Sequence, residues 1–174
     1  MPNVEIRRAM PGDERGMGFV NVTSWQTTYR GIVDNEFLQQ LSIEQRTAHW
    51  AKRIQENHSN KVHLVAVSDN TIIGYCSGGT SREAGFDGEI YALYILQEWQ
   101  HQGIGKQLTN QFFIFCTQYQ FCSVCVWVLR DNPSRLFYES IGGKYKTSKQ
   151  ITIGSQHLEE CLYVWGLHNI SAIA

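Results

Sequence analysis

The chain of 174 residues has little net charge: 15 Lys and Arg stand against 16 Asp and Glu, leaving −1 at neutral pH. That excludes a broad nucleic-acid or anionic-membrane surface, which needs clustered Lys and Arg. No apolar run approaches membrane-spanning length, and residues 1–10 carry no signal-peptide core. A cytoplasmic chain with no membrane or nucleic-acid partner is therefore expected. The sequence also lacks repeats, low-complexity segments and linkers, so one domain over 1–174 is expected. Cysteines do not pair up by pattern. There are five, Cys76, Cys116, Cys122, Cys125 and Cys161, all among apolar neighbours. Cys122-x-x-Cys125 has neither a second Cys pair nor a His cluster beside it, and Cys125 falls inside a strand pattern. Reduced core thiols and no metal site are expected.

With 43% apolar and 18% charged residues, the chain is a folded one. Its organising stretch is Glu89-Ile90-Tyr91-Ala92-Leu93-Tyr94-Ile95, then Gln100-His101-Gln102-Gly103-Ile104-Gly105-Lys106. The first part alternates as a strand, with Glu89, Tyr91, Leu93 and Ile95 on one face and Ile90, Ala92 and Tyr94 on the other. The second part is a turn. A helix follows, with Leu108, Phe112, Phe115, Cys116 and Tyr119 at helical spacing. A helix start offers unpaired N–H groups and a positive dipole end, and glycines at 103 and 105 clear the approach. A diphosphate is the natural occupant; a plain strand–helix connection is the alternative. The Gly-Lys-Ser/Thr of a P-loop and the third glycine of a dinucleotide fold are both absent.

Gln-x-x-Gly-x-Gly between a strand and a helix resembles the acetyl-CoA pyrophosphate motif of the GNAT superfamily of N-acetyltransferases. A second family element follows in order: a strand at 124–129, then Asn132, a short helix carrying Tyr138, and Gly142-Gly143. The likeness covers residues 4–165 and is sharp over 86–143.

The remaining elements fit an α/β order. Residues 4–8 read as a strand, and 14–30 as a helix capped by Asp13, with a stripe of Phe19, Val22, Trp25 or Gln26, and Tyr29, and with Gly31 ending it. Asp34 is placed to cap a helix at 35–41, and Ser42-x-x-Gln45 opens another to about 57. Two strands, 61–68 and 71–79, join at Asp69-Asn70. Strands at 145–153 and 159–167 close the chain. The resemblance implies a mixed, mostly antiparallel twisted sheet of about seven strands flanked by helices. It also implies that the parallel strands either side of helix 103–119 splay apart around the cofactor.

The resemblance further implies acetyl transfer from acetyl-CoA to a primary amine, of a small molecule or a peptide, by direct attack in a ternary complex. Tyr138 takes the place of the general acid, and Glu89 that of the general base, directly or through water. Arg82 or Arg130 is the alternative partner for Glu89. Leu93, Tyr94 and Ile95 would line the pantetheine arm. Gln100, His101, Gln102, Gly103, Ile104, Gly105 and Lys106 would hold the diphosphate. Asn132, with Asp131 as the alternative, would bond the pantetheine amides, and Arg135 would reach a phosphate. Trp25, Tyr29 and Ile32 would border the acceptor, where Glu159 and Glu160 could attract a cationic amine. A homodimer is within the family's habit. A non-catalytic acyl-CoA-binding module on the same fold is the rival reading.

Overall fold

The computed structural model describes residues 3–169; residues 1, 2 and 170–174 of the expected 1–174 domain lie outside them. The element order is β1 (Val4–Arg8), α1 (Glu14–Thr28), α2 (Asn35–Gln39), α3 (Ile43–Glu56), β2 (Lys61–Ser68), β3 (Thr71–Thr80), β4 (Gly88–Ile95), α4 (Ile104–Gln118), β5 (Ser123–Leu129), α5 (Arg135–Ser140), β6 (Lys144–Ile153) and β7 (Gln156–Gly166). A seven-stranded sheet runs β1-β2-β3-β4-β5-β7-β6. All neighbours are antiparallel except β4 and β5. That pair is joined through α4, as a parallel crossover requires.

Local chemistry explains several junctions. Asp69 and Asn70 both take positive φ, which the tight β2–β3 hairpin demands and which Asn and Asp tolerate. Ser42 Oγ accepts from the Gln45 amide at 3.2 Å and starts α3. Asp13 stands at the N-cap position of α1, but its side chain makes no capping bond. Arg7 from β1 takes both its carboxylate oxygens, at 2.6 and 3.0 Å, and the Met10 amide donates to it as well. Charge-assisted bonds outcompete a lone cap. Asp34 gives α2 no side-chain cap either. It accepts from Ser155 Oγ, while its amide donates to Gln156 Oε1 at 2.6 Å, so the start of α2 is tied to the β6–β7 turn.

Of the stripe expected on helix α1, Val22 and Tyr29 are buried, whereas Phe19 is 46% exposed and Met17 and Val20 are buried instead. The helix also ends at Thr28, short of residue 30. Its inner residues join Trp50 of α3 against β2 and β3, and α4 covers the opposite sheet face with Leu108, Phe112, Phe113, Phe115 and Cys116. Four of the five cysteines are buried; Cys122 is exposed, because it precedes β5 in a surface turn.

The α3-side core sets a pH dependence. His63 lies edge-on to Trp50, with Nδ1 2.9 Å from Ser77 Oγ. Burial, helped by Arg53, Lys61 and His49, holds its pKa down at about 4. A folded-state pKa below the unfolded one gives stability that is complete above the ordinary histidine range and lost as pH falls towards 4. The unfolding free energy is expected to drop by about 2 kcal/mol from pH 7 to pH 5 through this residue. Urea titrations at those two pH values, on the native chain and on His63→Gln, check it. An equally steep loss in the variant refutes the assignment.

Candidate active site

The parallel pair holds together only at Gly88–Val124, Glu89–Cys125 and Ile90–Val126. Beyond these, β4 runs on to Ile95 and β5 to Leu129 without pairing, so their facing backbone groups have no ladder partner. The gap opens into a groove of about 750 Å3. One wall is Ser24, Thr28 and Tyr29 of α1 and its end. The floor is Leu93, Tyr94 and Ile95 of β4 with Trp127 of β5, and the far end is the turn before α4 with Phe137 and Tyr138.

At that end, Gly103 takes φ +80 and His101 φ +60, conformations that turn the chain sharply into α4. The first intrahelical bond runs from the Gln107 amide to the Gly103 carbonyl at 3.1 Å. The Ile104 and Gly105 amides precede it, and the glycine N-cap carries no side chain to satisfy them. A Cβ on Gly105 would stand 3.2 Å from the Phe137 ring and 3.3 Å from Ile95, tight enough that both side chains would have to shift to admit it. Gln100 Nε2 donates to the Ile95 carbonyl at 3.0 Å and braces the turn against β4. Gln100, His101, Gly103, Gly105 and Lys106 all line the groove. Ile104 is buried and contributes backbone only, while Gln102 turns back to the Glu98 carbonyl.

Tyr138 is 6% exposed and lines the groove. Its ring is fixed by Phe137, Tyr163 and Trp165 at centroid distances of 5.4, 6.5 and 6.1 Å. Phe137 also faces the groove rather than taking the opposite side. Burial, with smaller contributions from Cys76 and Tyr94, pushes the Tyr138 phenol well above the ordinary tyrosine range. The hydroxyl therefore keeps its proton at any physiological pH. Tyr94 accepts from Trp25 Nε1 at 2.9 Å, and Asn132 Nδ2 donates to the Tyr29 hydroxyl at 3.3 Å. Asn132 also accepts the Ser134 amide at 2.8 Å, which fixes the approach to α5 while its side chain borders the groove.

Three expected neighbours sit elsewhere. Trp25 and Ile32 pack with Val33, Leu38 and Leu129 in an apolar cluster under the β6–β7 hairpin, so of the three acceptor candidates only Tyr29 lines the groove. Arg135 is directed to the Tyr163 hydroxyl at 3.5 Å, outside the groove lining.

Glu89 is not on the face of Leu93 and Ile95. Pairing with β3 jumps from Gly78–Ile90 to Ser77–Ala92, leaving Tyr91 as a bulge. The extra residue reverses the alternation after it. Ile90, Leu93 and Ile95 pack towards α4, whereas Ala92 and Tyr94 pack towards α1. Glu89 belongs to the α1-side face, 3% exposed. It accepts from the Arg82 amide at 2.8 Å, from Nε at 3.2 Å and from Nη2 at 2.5 Å. It lines a second cavity, which meets the groove at Tyr91 and Trp127. Glu83 and Lys149 of that cavity had no signal in the sequence; a loop and an edge strand bring them there.

A sheet parted at its one parallel pair, with a glycine-opened helix start at one end of the gap and a buried phenol beside it, is the arrangement that the resemblance to the GNAT acyltransferases implies. The sequence model of the Acetyltransferase (GNAT) family matches residues 22–142. The N-acetyltransferase YuaI of Bacillus subtilis (strain 168), itself uncharacterized, is 31% identical over 164 residues, covering 93% of this chain and 92% of its own. The chain belongs to the GNAT family. Among solved structures, the PaiA N-acetyltransferase of Thermoplasma acidophilum in complex with coenzyme A is 25% identical, covers 91% of this chain and 98% of its own, and superposes with a TM-score of 0.71. The Salmonella typhimurium protein yncA with its cofactor acetyl-CoA shares the fold at 16% identity and a TM-score of 0.70, covering 97% of this chain and 96% of its own. Among the described residues no helix is long and apolar enough to cross a membrane.

Proposed function

We propose that this chain transfers an acetyl group from acetyl-CoA to a primary amine, with Tyr138 as the proton donor. The observation that carries the reading is Tyr138: a buried ring whose hydroxyl keeps its proton and has no hydrogen-bond partner among the described residues, at the wall of a groove between parted strands. Bound acetyl-CoA supplies the acyl group as a thioester. The fit rests on the groove's size and on its mouth, where the Ile104 and Gly105 amides have no acceptor among the described residues and Gly105 carries no side chain to crowd it. Those amides and the Lys106 charge would hold the diphosphate. The backbone groups of Leu93–Ile95 that face β5 and find no ladder partner there, with Asn132, would hold the pantetheine and polarise the carbonyl.

Tyr138 donates its proton, or a hydrogen bond, to the departing sulfur. A proton leaving the amine on the α1 side reaches Glu89 through water rather than by contact, because both carboxylate oxygens already hold Arg82. The test is saturable thiol release from acetyl-CoA across a panel of primary amines, with thermal shifts by acetyl-CoA, ATP and NAD alongside. Stabilisation by acetyl-CoA alone and amine-dependent release are expected. A protein stabilised by coenzyme A but inert towards every amine would instead be an acyl-CoA-binding module.

A further inference from the structure

The cavity that holds Glu89 has a volume of about 400 Å3 and adjoins the groove through Tyr91 and Trp127. The Trp127 indole forms one wall and donates from Nε1 to Glu83 Oε2 at 3.1 Å. Lys149, reaching in from β6, places its ammonium 3.9 Å from the centre of the indole ring. The same ammonium lies 3.6 Å from Glu83 and 3.5 Å from Glu160. An aromatic face flanked by two carboxylates is an ammonium-binding arrangement. Here it already holds a cation, one supplied by the chain itself.

That cation is replaceable. Lys149 is 47% exposed and stands on an edge strand, so it can swing into water with little loss. The other cation nearby is committed: Arg82 holds Glu89 and lies over the Tyr91 ring at 4.5 Å. Glu83 and Glu160 thus rely on Lys149 for their counter-charge, and burial is the leading influence on Glu160, raising its pKa against the pull of Lys149. A neutral molecule that displaced Lys149 would strand two carboxylates. A cation would exchange like for like.

We propose that this cage recognises the far ammonium of a small α,ω-diamine, which takes the place of the Lys149 ammonium while the diamine's other nitrogen enters the groove. The inference rests on the acetyltransferase reading above and names its acceptor class. An attacking nitrogen must be neutral, because a protonated amine has no lone pair to offer. The cage selects a charged nitrogen. The cage does not include Tyr138, so a nitrogen held there is not the one that attacks beside it, and the acceptor carries two. Its aliphatic chain would run along Tyr91 and Trp127, the two aromatic residues that the cavity and the groove share.

Calorimetry in the presence of coenzyme A, where no transfer can occur, tests this with diaminobutane against butylamine. The diamine is expected to bind at least about tenfold more tightly. Glu160→Gln should erase that preference, and Lys149→Met, which empties the cage, should tighten the diamine several-fold. Equal affinity for the two amines, a preference that survives Glu160→Gln, or no binding of either amine while coenzyme A binds, overturns the inference. None of these touches the acetyltransferase reading, which fails only if coenzyme A does not bind or no amine supports thiol release; the inference then fails with it.

Discussion

Replacing Tyr138 with phenylalanine is expected to lower kcat by about 100-fold or more, within the range that positioned proton donors contribute. The KM for acetyl-CoA should stay within about twofold, because the lost interaction matters only as the sulfur gains charge. The variant should fold as well as the native chain. The Tyr138 hydroxyl makes no protein hydrogen bond among the described residues, so its removal orphans no buried partner, and the ring's contacts with Phe137, Tyr163 and Trp165 remain. Pre-steady-state and steady-state thiol release, with a melting curve, separate these outcomes. Because burial raises the phenol's pKa, the native enzyme's rate should also show no falling limb from Tyr138 below about pH 10. An unchanged kcat in the variant removes the proton-donor role.

Gly105→Leu is expected to weaken coenzyme A binding by about 100-fold or more. The first side-chain carbon would already press on Phe137 at 3.2 Å and Ile95 at 3.3 Å, so the rest of the leucine must turn into the groove mouth. There it covers the Ile104 and Gly105 amides. Two hydrogen bonds to a charged phosphate, each about 1.5–3 kcal/mol, account for an effect of that size. The position is in the first turn of α4, where leucine is a good helix former, so the fold should survive. Circular dichroism checks the fold and calorimetry with coenzyme A checks the loss. Retained affinity in a folded variant would move the phosphate site away from this turn.

Both experiments act on features visible in the sequence. The glycine turn, the helix behind it and the Tyr138 helix are each set by residues within a few positions of one another. Turn geometry and helix starts depend on such short-range chemistry. The Asp69-Asn70 hairpin and the Ser42 cap are legible for the same reason. Asp13 and Asp34 stand at the N-cap positions the sequence marks, but their side chains make no capping bond, since Arg7 and Ser155 arrive from other elements and take the carboxylates. One residue of the expected α1 stripe falls outside for a related reason: the sheet and α3 take two faces of the helix, and Phe19 meets neither.

The sequence by itself determined the order of the elements and the parallel crossover, which follow from spacing along the chain; the roles proposed for Tyr138 and for the glycine turn come from the family resemblance. Tertiary structure alone decided on which side Glu89 lies, because the bulge at Tyr91 arises from how β3 and β4 pair, and one unmatched residue turns the strand over. It alone brought Arg82 to Glu89, and Lys149 over Trp127 between Glu83 and Glu160. These meetings join strands and a loop distant in sequence, and no local pattern encodes which distant side chains will share a cavity.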